Sequence, residues 1–192
     1  GGEDFIDGGA GDDILDGGSG DDLLRGGAGA DQILGGAGID TADYSSSSEA
    51  VQVALAGSTN GGDAAGDLLT SIENLTGSSY DDTLEGNAGN NVLTGGYGND
   101  LLVGGDGVDQ ANYVEPLLEL LIGRNLDGSV TVTGSIYEPG DTLIGIEVIH
   151  SVADKLNLSV SELPIGTEGN DIIVGSQYSD IINGYGGDDV IS

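Results

Sequence analysis

Apolar residues recur along this chain every nine positions, separated by stretches rich in Gly. From residue 8 to residue 43 the chain reads GGAGDDILD, GGSGDDLLR, GGAGADQIL and GGAGIDTAD. The same frame returns at residues 77–112 and 166–192, and a partial unit occupies residues 1–7. The eighth position is apolar in every unit, which predicts a three-residue strand with one side chain turned into a core.

Glycine dominates the six residues that precede each predicted strand. The first position is Gly in all eleven units that include it, and the fourth is Gly in ten of the twelve units. Glycine adopts backbone angles that a Cβ atom forbids, so these six residues are expected to form a tight turn. Two units would then make one coil, and successive coils would stack as parallel strands about 4.8 Å apart. The period therefore predicts an all-β parallel solenoid.

The sixth position of the unit is acidic in a way that a solvated surface does not explain. It is Asp in eleven of the twelve units, and Asn91 is the exception. Stacking places each of these side chains above the one eighteen residues along, so like charges form columns. Two carboxylates 4.8 Å apart repel by about 1 kcal/mol in water and several-fold more at a partly desolvated edge. A stable stack therefore requires a cation.

The composition shows that packing alone does not hold the coils together. The chain of 192 residues contains 38 Gly and no Trp, Met or Cys, so it has neither a large aromatic core nor a disulfide framework. One Leu or Ile per unit offers roughly 1.5–3 kcal/mol, while ordering each residue costs about 1–2 kcal/mol. A hard divalent cation suits the acidic edge, because Asp and the turn carbonyls supply oxygen ligands. Calcium tolerates an irregular shell better than magnesium.

The net charge of −31 excludes several partners. Nucleic acid and anionic membranes would repel such a chain. No apolar run approaches the roughly 18 residues that a membrane span needs, and residues 1–4 do not resemble a signal peptide. The chain also lacks an HExxH motif, a GxSxG elbow and a Walker loop, and it contains a single His. We therefore expect no enzyme activity in these residues.

The units match GGxGxDxUx, where U is apolar, and resemble the calcium-binding nonapeptide repeats of RTX (repeats-in-toxin, or haemolysin-type) proteins. The resemblance implies a right-handed parallel β-roll, which is a calcium-bound β-solenoid with ions between turns two units apart. It also implies export through type I secretion machinery, as part of a larger polypeptide that is secreted or held at the bacterial cell surface.

The resemblance carries the calcium ligands onto the turns of this chain. Pairing sixth positions eighteen residues apart predicts about six Ca²⁺ ions, between Asp4 and Asp22, Asp13 and Asp31, Asp22 and Asp40, Asp82 and Asp100, Asn91 and Asp109, and Asp171 and Asp189. Asp180 is a further ligand without a paired position. The turn glycines expected at the ions are Gly9, Gly11, Gly18, Gly20, Gly27, Gly29, Gly36, Gly38, Gly89, Gly96, Gly98, Gly105, Gly107, Gly169 and Gly187.

Two segments interrupt the repeat and divide the chain into five predicted parts. These are a first RTX block truncated at its N-terminus (1–43), a β-rich insert (44–76), a second RTX block (77–112), a β-rich insert with a hairpin at Asp127-Gly128 (113–165), and a third RTX block truncated at its C-terminus (166–192). DLLTSIE in the first insert is echoed by DTLIGIE in the second, which indicates two copies of one larger unit. Asp67 and Asp141 in these echoes are additional candidates for calcium.

The predicted function is a calcium-controlled folding module. It would be unfolded at cytosolic calcium and would fold on binding extracellular calcium, supporting the secretion, folding and stability of a larger toxin, hydrolase or adhesin. Any catalytic activity would lie elsewhere in that parent protein. The alternative is a cell-surface adhesin or polysaccharide-binding module that holds glycans through calcium bridges.

Overall fold

The computed structural model describes residues 1–57, 59, 61–116, 120–125, 127–133, 140–162, 172–173 and 190–191. Within these ranges the regular structure consists of β-strands and of short 3₁₀ turns at Gly62–Ala64 and Val160–Glu162. No helix among these residues is long and apolar enough to cross a membrane. The predicted calcium ligands of the third block, Gly169, Asp171, Asp180, Gly187 and Asp189, lie outside the described residues.

The first block forms strands that are longer than the three residues expected from the motif. They are β1 (Phe5–Ala10), β2 (Ile14–Ser19), β3 (Leu23–Ala28), β4 (Gln32–Ala37) and β5 (Thr41–Asp43). The first four continue through the first three positions of the next unit, and Gly9 pairs with Gly27 in register. Glycine permits this because its backbone needs no room for a side chain at the stacked position.

The remaining strands are mostly three or four residues long. They are β6 (Gln52–Ala54), β7 (Leu68–Thr70), β8 (Asn74–Thr76), β9 (Thr83–Glu85), β10 (Val92–Thr94), β11 (Leu101–Val103), β12 (Gln110–Tyr113), β13 (Leu121–Arg124), β14 (Val130–Thr133), β15 (Asp141–Ile144), β16 (Val148–Ser151), β17 (Leu156–Ser159), β18 (Ile172–Ile173) and β19 (Val190–Ile191). β18 pairs in parallel with β19, eighteen residues along.

The strands alternate between two sides of a coil, as the repeat predicts. One side is the eight-stranded sheet β1-β3-β5-β8-β10-β12-β16-β17, and the other carries β2-β4-β7 and β13-β14-β15-β11-β9-β6. Within the repeats the register shift is eighteen residues, so that Leu24 lies beside Ile6 and Leu102 beside Leu84. The predicted all-β parallel β-roll is confirmed, and among the described strands antiparallel pairing is confined to β13, β14 and β17 with their neighbours.

A thin apolar core runs between the two sides. The eighth-position side chains from Leu15 to Ala111 are at most 2 % exposed, whereas the partial first unit leaves Ile6 only partly buried. Their strand neighbours Ile14 and Leu23 point outward and are exposed. The alternation within each strand therefore places one apolar side chain per unit in the core, which is the small contribution that the sequence predicted.

The end of each intervening segment belongs to the roll, and we call residues 67–76 and 141–151 the return segments. β7 and β8 pair in parallel with β4 and β5, and β8 pairs in turn with β10. β15 and β16 likewise pair in parallel with β11 and β12. β6 adds a strand beside β9, and β13 and β14 form an antiparallel pair around Asp127 and Gly128. The five-part division of the chain stays a prediction.

Candidate calcium sites

Stacking of the coils gathers the acidic side chains into two columns, one for each side of the roll. Column A contains Asp4, Asp22, Asp40, Glu73, Asn91, Asp109 and Glu147. Column B has two stretches, Asp13, Asp31 and Asp67 along one sheet and Asp82, Asp100 and Asp141 along another. Within the repeats the backbone N–H of one member donates to the carboxylate of the next, from Asp4 to Asp22 Oδ1 at 2.8 Å and from Asp22 to Asp40 Oδ1 at 2.9 Å. The columns are therefore ladders of neighbouring acids, as the spacing predicts.

Six members of these columns keep one carboxylate oxygen without a hydrogen-bond partner, and we call them the open rungs. Asp22, for example, is 2 % exposed and accepts a bond at Oδ1, while its Oδ2 atom is buried and unpartnered. The open rungs are Asp13, Asp22, Asp31, Asp40, Asp100 and Asp109. Burying a charged oxygen without a partner is costly, so each of these atoms is a candidate ligand for a cation.

The first-position glycines show what surrounds these oxygens. A Cβ atom built on Gly8 would lie 2.7 Å from the carbonyl oxygen of Gly26 and 2.8 Å from Asp13 Oδ2. The space next to Gly8 is therefore bordered by a carboxylate oxygen and a carbonyl oxygen, and neither of these atoms can donate a hydrogen bond to the other. Calcium binds both kinds of oxygen at once, so the residues of the turn fit this ion.

The predicted turn glycines lie between successive coils. A Cβ atom on Gly27 would overlap the carbonyl oxygen of Gly9, and one on Gly29 would overlap that of Gly11. Both glycines have a positive φ, 96° for Gly27 and 147° for Gly29, which most side chains disfavour. Close backbone packing therefore holds the turn carbonyls at the level of the acidic columns.

Without a bound cation, burial disfavours the ionised form of the carboxylates in the columns. It raises the pKa of Asp100 to about 7, where the charges of Asp141 and Asp82 add to the effect and the bond from the Asp82 N–H opposes it. Burial also raises the pKa of Asp31 and Asp109. The ionised columns are thus held against repulsion and desolvation, which a bound cation would relieve.

Two members of the columns accept a hydrogen bond from the second residue of their own turn. The Ser78 N–H donates to Asp82 Oδ2 at 2.5 Å, and the Ser78 hydroxyl lies 2.8 Å from Asp82 Oδ1. The Asn87 N–H donates to Asn91 Oδ1 at 2.8 Å, and Asn91 Nδ2 donates to the Glu73 carbonyl at 2.7 Å. These side chains have protein partners where the open rungs have none.

The cause is the residue at the second position of the unit. In the described turns with Gly there, φ lies between 89° and 107°, and Gly18 is an example at 89°. Ser78 and Asn87 occupy the same position without a positive φ. The backbone therefore follows another path, and the second-position N–H reaches the sixth-position side chain.

The structure brings together the predicted pairs from Asp4 and Asp22 through Asn91 and Asp109, and the pair Asp171 and Asp189 lies outside the described residues. Across the described ranges, no three Asp, Glu or His side chains converge on one point. An ion held by two carboxylates would therefore depend on turn carbonyls for its other oxygens. The assignment of individual ligands stays a prediction.

Sequence reasoning overlooked a second ladder at the fifth position of the unit. Asp21 Oδ1 accepts the Ile39 N–H at 2.8 Å, and Asp81 Oδ1 accepts the Asn99 N–H at 2.8 Å. Asp12 Oδ1 and Asn90 Oδ1 likewise accept the N–H groups of the residues eighteen positions further along the chain. The detectable signal was Asp or Asn at this position in units that have another unit stacked after them.

The sequence comparisons agree with this geometry. The family profile for the RTX calcium-binding nonapeptide repeat (4 copies) matches residues 1–24, 7–42, 76–111 and 165–192, which together make up more than half of the chain. No curated protein matches the chain. Among solved structures, the chain is similar to the extracellular lipase LipA from Serratia marcescens, with 19 % identity over 64 % of this chain and a TM-score of 0.28. The match spans 25 % of that lipase chain.

Proposed function

Because the chain belongs to the family of RTX calcium-binding nonapeptide repeats, we propose that it is a calcium-controlled folding module of a larger exported protein. It is unfolded at cytosolic calcium and folds when it binds calcium outside the cell. The observation that carries this proposal is the set of six buried Oδ2 atoms without a partner on the open rungs.

The open rungs explain why folding depends on the ion. Asp22 and Asp40 on column A, and Asp13 and Asp31 on column B, would hold calcium together with turn carbonyls such as that of Gly26. Bound calcium supplies the positive charge that lets these carboxylates stack while ionised. The residues themselves set the spacing between coils, position the carbonyl oxygens and keep water from the buried carboxylate oxygens.

The free energy that calcium binding contributes is large enough to switch folding between the cytosol and the outside of the cell. A site with a dissociation constant of about 10⁻⁴ M gains roughly 1.4 kcal/mol at about 1 mM calcium, and six such sites gain about 8 kcal/mol. This is comparable to the whole stability of many proteins. At cytosolic calcium the same sites gain almost nothing, so the chain stays unfolded before export.

Membership of the family supports a secreted or cell-surface location and passage through type I secretion machinery. Folding after export would order the neighbouring parts of the parent polypeptide and stabilise them. The parent is a toxin, hydrolase or adhesin, and its chemistry lies outside these residues.

Circular dichroism tests the proposal directly. In calcium-free buffer the chain should show the spectrum of an unfolded polypeptide, millimolar calcium should induce a β signal, and a chelator should remove it. Magnesium at the same concentration is the control, and it should induce little structure because it tolerates the irregular oxygen shell poorly. A β signal that responds to neither calcium nor chelator contradicts the proposal.

Glycan binding is a second candidate, favoured by one feature of the eight-stranded sheet. A groove of about 420 Å³ on this sheet is lined by polar side chains that include Thr41, Asn74, Gln110 and Asn112, and no carboxylate lines it. An uncharged polar groove on so acidic a chain suits a hydroxyl-rich ligand. Binding of polysaccharides measured at fixed calcium, with unrelated polymers as controls, tests this candidate.

A further inference from the structure

The return segments replace the long turn of the repeat by a short one. Between β9 and β10 the repeat turn has six residues, 86–91, whereas β7 is joined to β8 by the three residues 71–73 and β15 to β16 by 145–147. The first residue of each short turn has a positive φ, 52° at Ser71 and 62° at Gly145. The two short turns thus share a first residue with positive φ, although this residue is Ser in one turn and Gly in the other.

The short turns present a carbonyl oxygen to an open rung. A Cβ atom built on Gly35 would lie 2.5 Å from Asp40 Oδ2 and would also overlap the carbonyl oxygen of Ser71. One built on Gly104 would lie 2.5 Å from Asp109 Oδ2 and would overlap the carbonyl oxygen of Gly145. This is the arrangement seen at Gly8, with the short turn supplying the carbonyl that Gly26 supplies within the repeats.

A glutamate then takes the place of the next sixth-position aspartate. Glu73 Oε2 accepts the Asp40 N–H at 2.9 Å, and Glu147 Oε2 accepts the Asp109 N–H at 2.8 Å. Within the repeats an Asp accepts this bond. The turn is three residues shorter here, and the extra methylene of Glu lets the carboxylate still reach the column.

Column B ends differently in the same segments. The Tyr44 hydroxyl donates to Asp67 Oδ2 at 3.0 Å, and the Tyr113 hydroxyl donates to Asp141 Oδ2 at 2.8 Å. The other oxygen of each Asp accepts a backbone N–H, from Asp31 and from Asp100. Both carboxylates are therefore fully partnered without a metal.

Next to the return segments, the two columns also differ in whether a carbonyl oxygen is one of the atoms nearest to the first-position glycine. The three atoms nearest to a Cβ built on Gly26 all belong to Asp31, and those nearest to one on Gly95 all belong to Asp100. At Gly35, by contrast, the nearest of the three atoms is the Ser71 carbonyl oxygen. Each return segment therefore offers a carbonyl oxygen and a glutamate to column A, and a Tyr-bonded carboxylate to column B.

We propose that each return segment completes one calcium site outside the nonapeptide repeats. Asp40, the Ser71 carbonyl and Glu73 hold one ion, and Asp109, the Gly145 carbonyl and Glu147 hold the other. Asp67 and Asp141, which the sequence suggested as ligands, instead end column B through Tyr44 and Tyr113 and bind no calcium. This inference rests on the proposed function, because it extends the same columns by one ion at each return.

Native mass spectrometry of the full chain in calcium tests the inference by counting ions on the folded population. Glu73→Gln and Glu147→Gln should each lose one ion, and the double variant should lose two, since Gln keeps the acceptor for the backbone N–H but lacks the charge. Asp67→Asn and Asp141→Asn are matched controls that remove the same charge from the same segments. They should bind as many ions as the unchanged chain.

The outcomes separate this inference from the proposed function. An unchanged chain that binds no calcium overturns both. A chain that binds calcium while Glu73→Gln and Glu147→Gln keep the full count overturns the inference alone, and so does loss of an ion in Asp67→Asn or Asp141→Asn. If one Gln variant does not fold, the other copy gives the same test independently.

Discussion

The turns of the first block and the two turns that open the second block solve the same problem with different chemistry. In the first block Asp22 is buried with one oxygen unpartnered, beside a turn whose second residue, Gly18, has a φ of 89°. At the start of the second block Asp82 is equally buried, but Ser78 donates both its N–H and its hydroxyl to the carboxylate. Asp22 thus keeps one oxygen without a protein partner, whereas both oxygens of Asp82 accept hydrogen bonds from Ser78.

The difference shows that the motif does not by itself determine whether the sixth-position side chain finds a partner in its own turn. Asp at the sixth position is common to both regions, so the second position decides whether the carboxylate finds a donor within its own turn. Asn91 supports this view, because a neutral amide occupies the column where the Asn87 N–H provides a partner. A chain can therefore contain rungs that hold the coil together without an ion.

The largest expected effect on the free energy of unfolding comes from neutralising one carboxylate in each of the two regions. Asp22→Asn should lower the free energy of unfolding in 1 mM calcium by about 3 kcal/mol, since Asp22 belongs to two predicted ions worth roughly 1.4 kcal/mol each. Asp82→Asn should cost less, about 1–2 kcal/mol, because the amide oxygen still accepts the bonds from Ser78 while the Val51 N–H loses its acceptor. Denaturant unfolding at fixed calcium measures both variants. Equal losses would show that Asp22 and Asp82 depend on calcium alike.

Exchanging Gly and Ser at the second position of the unit tests whether this residue controls calcium binding by the sixth-position carboxylate. Ser78→Gly should open the turn at Asp82 and add one bound ion, whereas Gly18→Ser should remove one and also cost roughly 1–2 kcal/mol of backbone strain. Calcium counting by native mass spectrometry distinguishes the two directions. Gly57→Ala, in a loop away from the columns, controls for loss of a glycine. If both exchanged variants bind the same number of ions as the unchanged chain, the second position does not control the site.

The sequence was sufficient to predict the roll, its register and the pairing within the repeats. Each of these follows from a strict period of nine, because position eight must face the core and position six must stack on its copy eighteen residues along. The closing residues were not predictable in the same way. Ser78, Tyr44 and Glu73 act through the path of particular turns, and that path depends on φ at a neighbouring residue. Tyr44 and Tyr113 did carry a signal, since each directly follows the last unit of its block.

Proton uptake by buried carboxylates of the columns should partly replace calcium. Burial raises the pKa of Asp100 to about 7 and that of Asp141 to about 6, above the usual value near 4 in an unfolded chain. The folded form then binds more protons than the unfolded form between about pH 4 and pH 7, so stability rises as the pH falls through this window. In resin-treated calcium-free buffer, the β signal at pH 5 should exceed that at pH 8.

A variant separates this effect from general charge neutralisation. Asp100→Asn removes the carboxyl group whose pKa burial raises to about 7, so it should reduce the gain in β signal between pH 8 and pH 5. Asp16→Asn removes an exposed carboxylate at the ninth position and should leave the gain unchanged. A gain that is identical in both variants would assign the pH response to net charge rather than to the columns.

The smallest expected effect concerns the fifth-position ladder, which is common to both regions and independent of calcium. Asp21→Ala removes the acceptor for the Ile39 N–H and should cost about 1 kcal/mol or less, because the bond is exposed and water can replace it. Asp16→Ala removes the same charge without removing a ladder bond, so the difference between the two variants isolates the bond itself. Thermal unfolding at saturating calcium provides the measurement. Identical midpoints would mean that the fifth position contributes only charge.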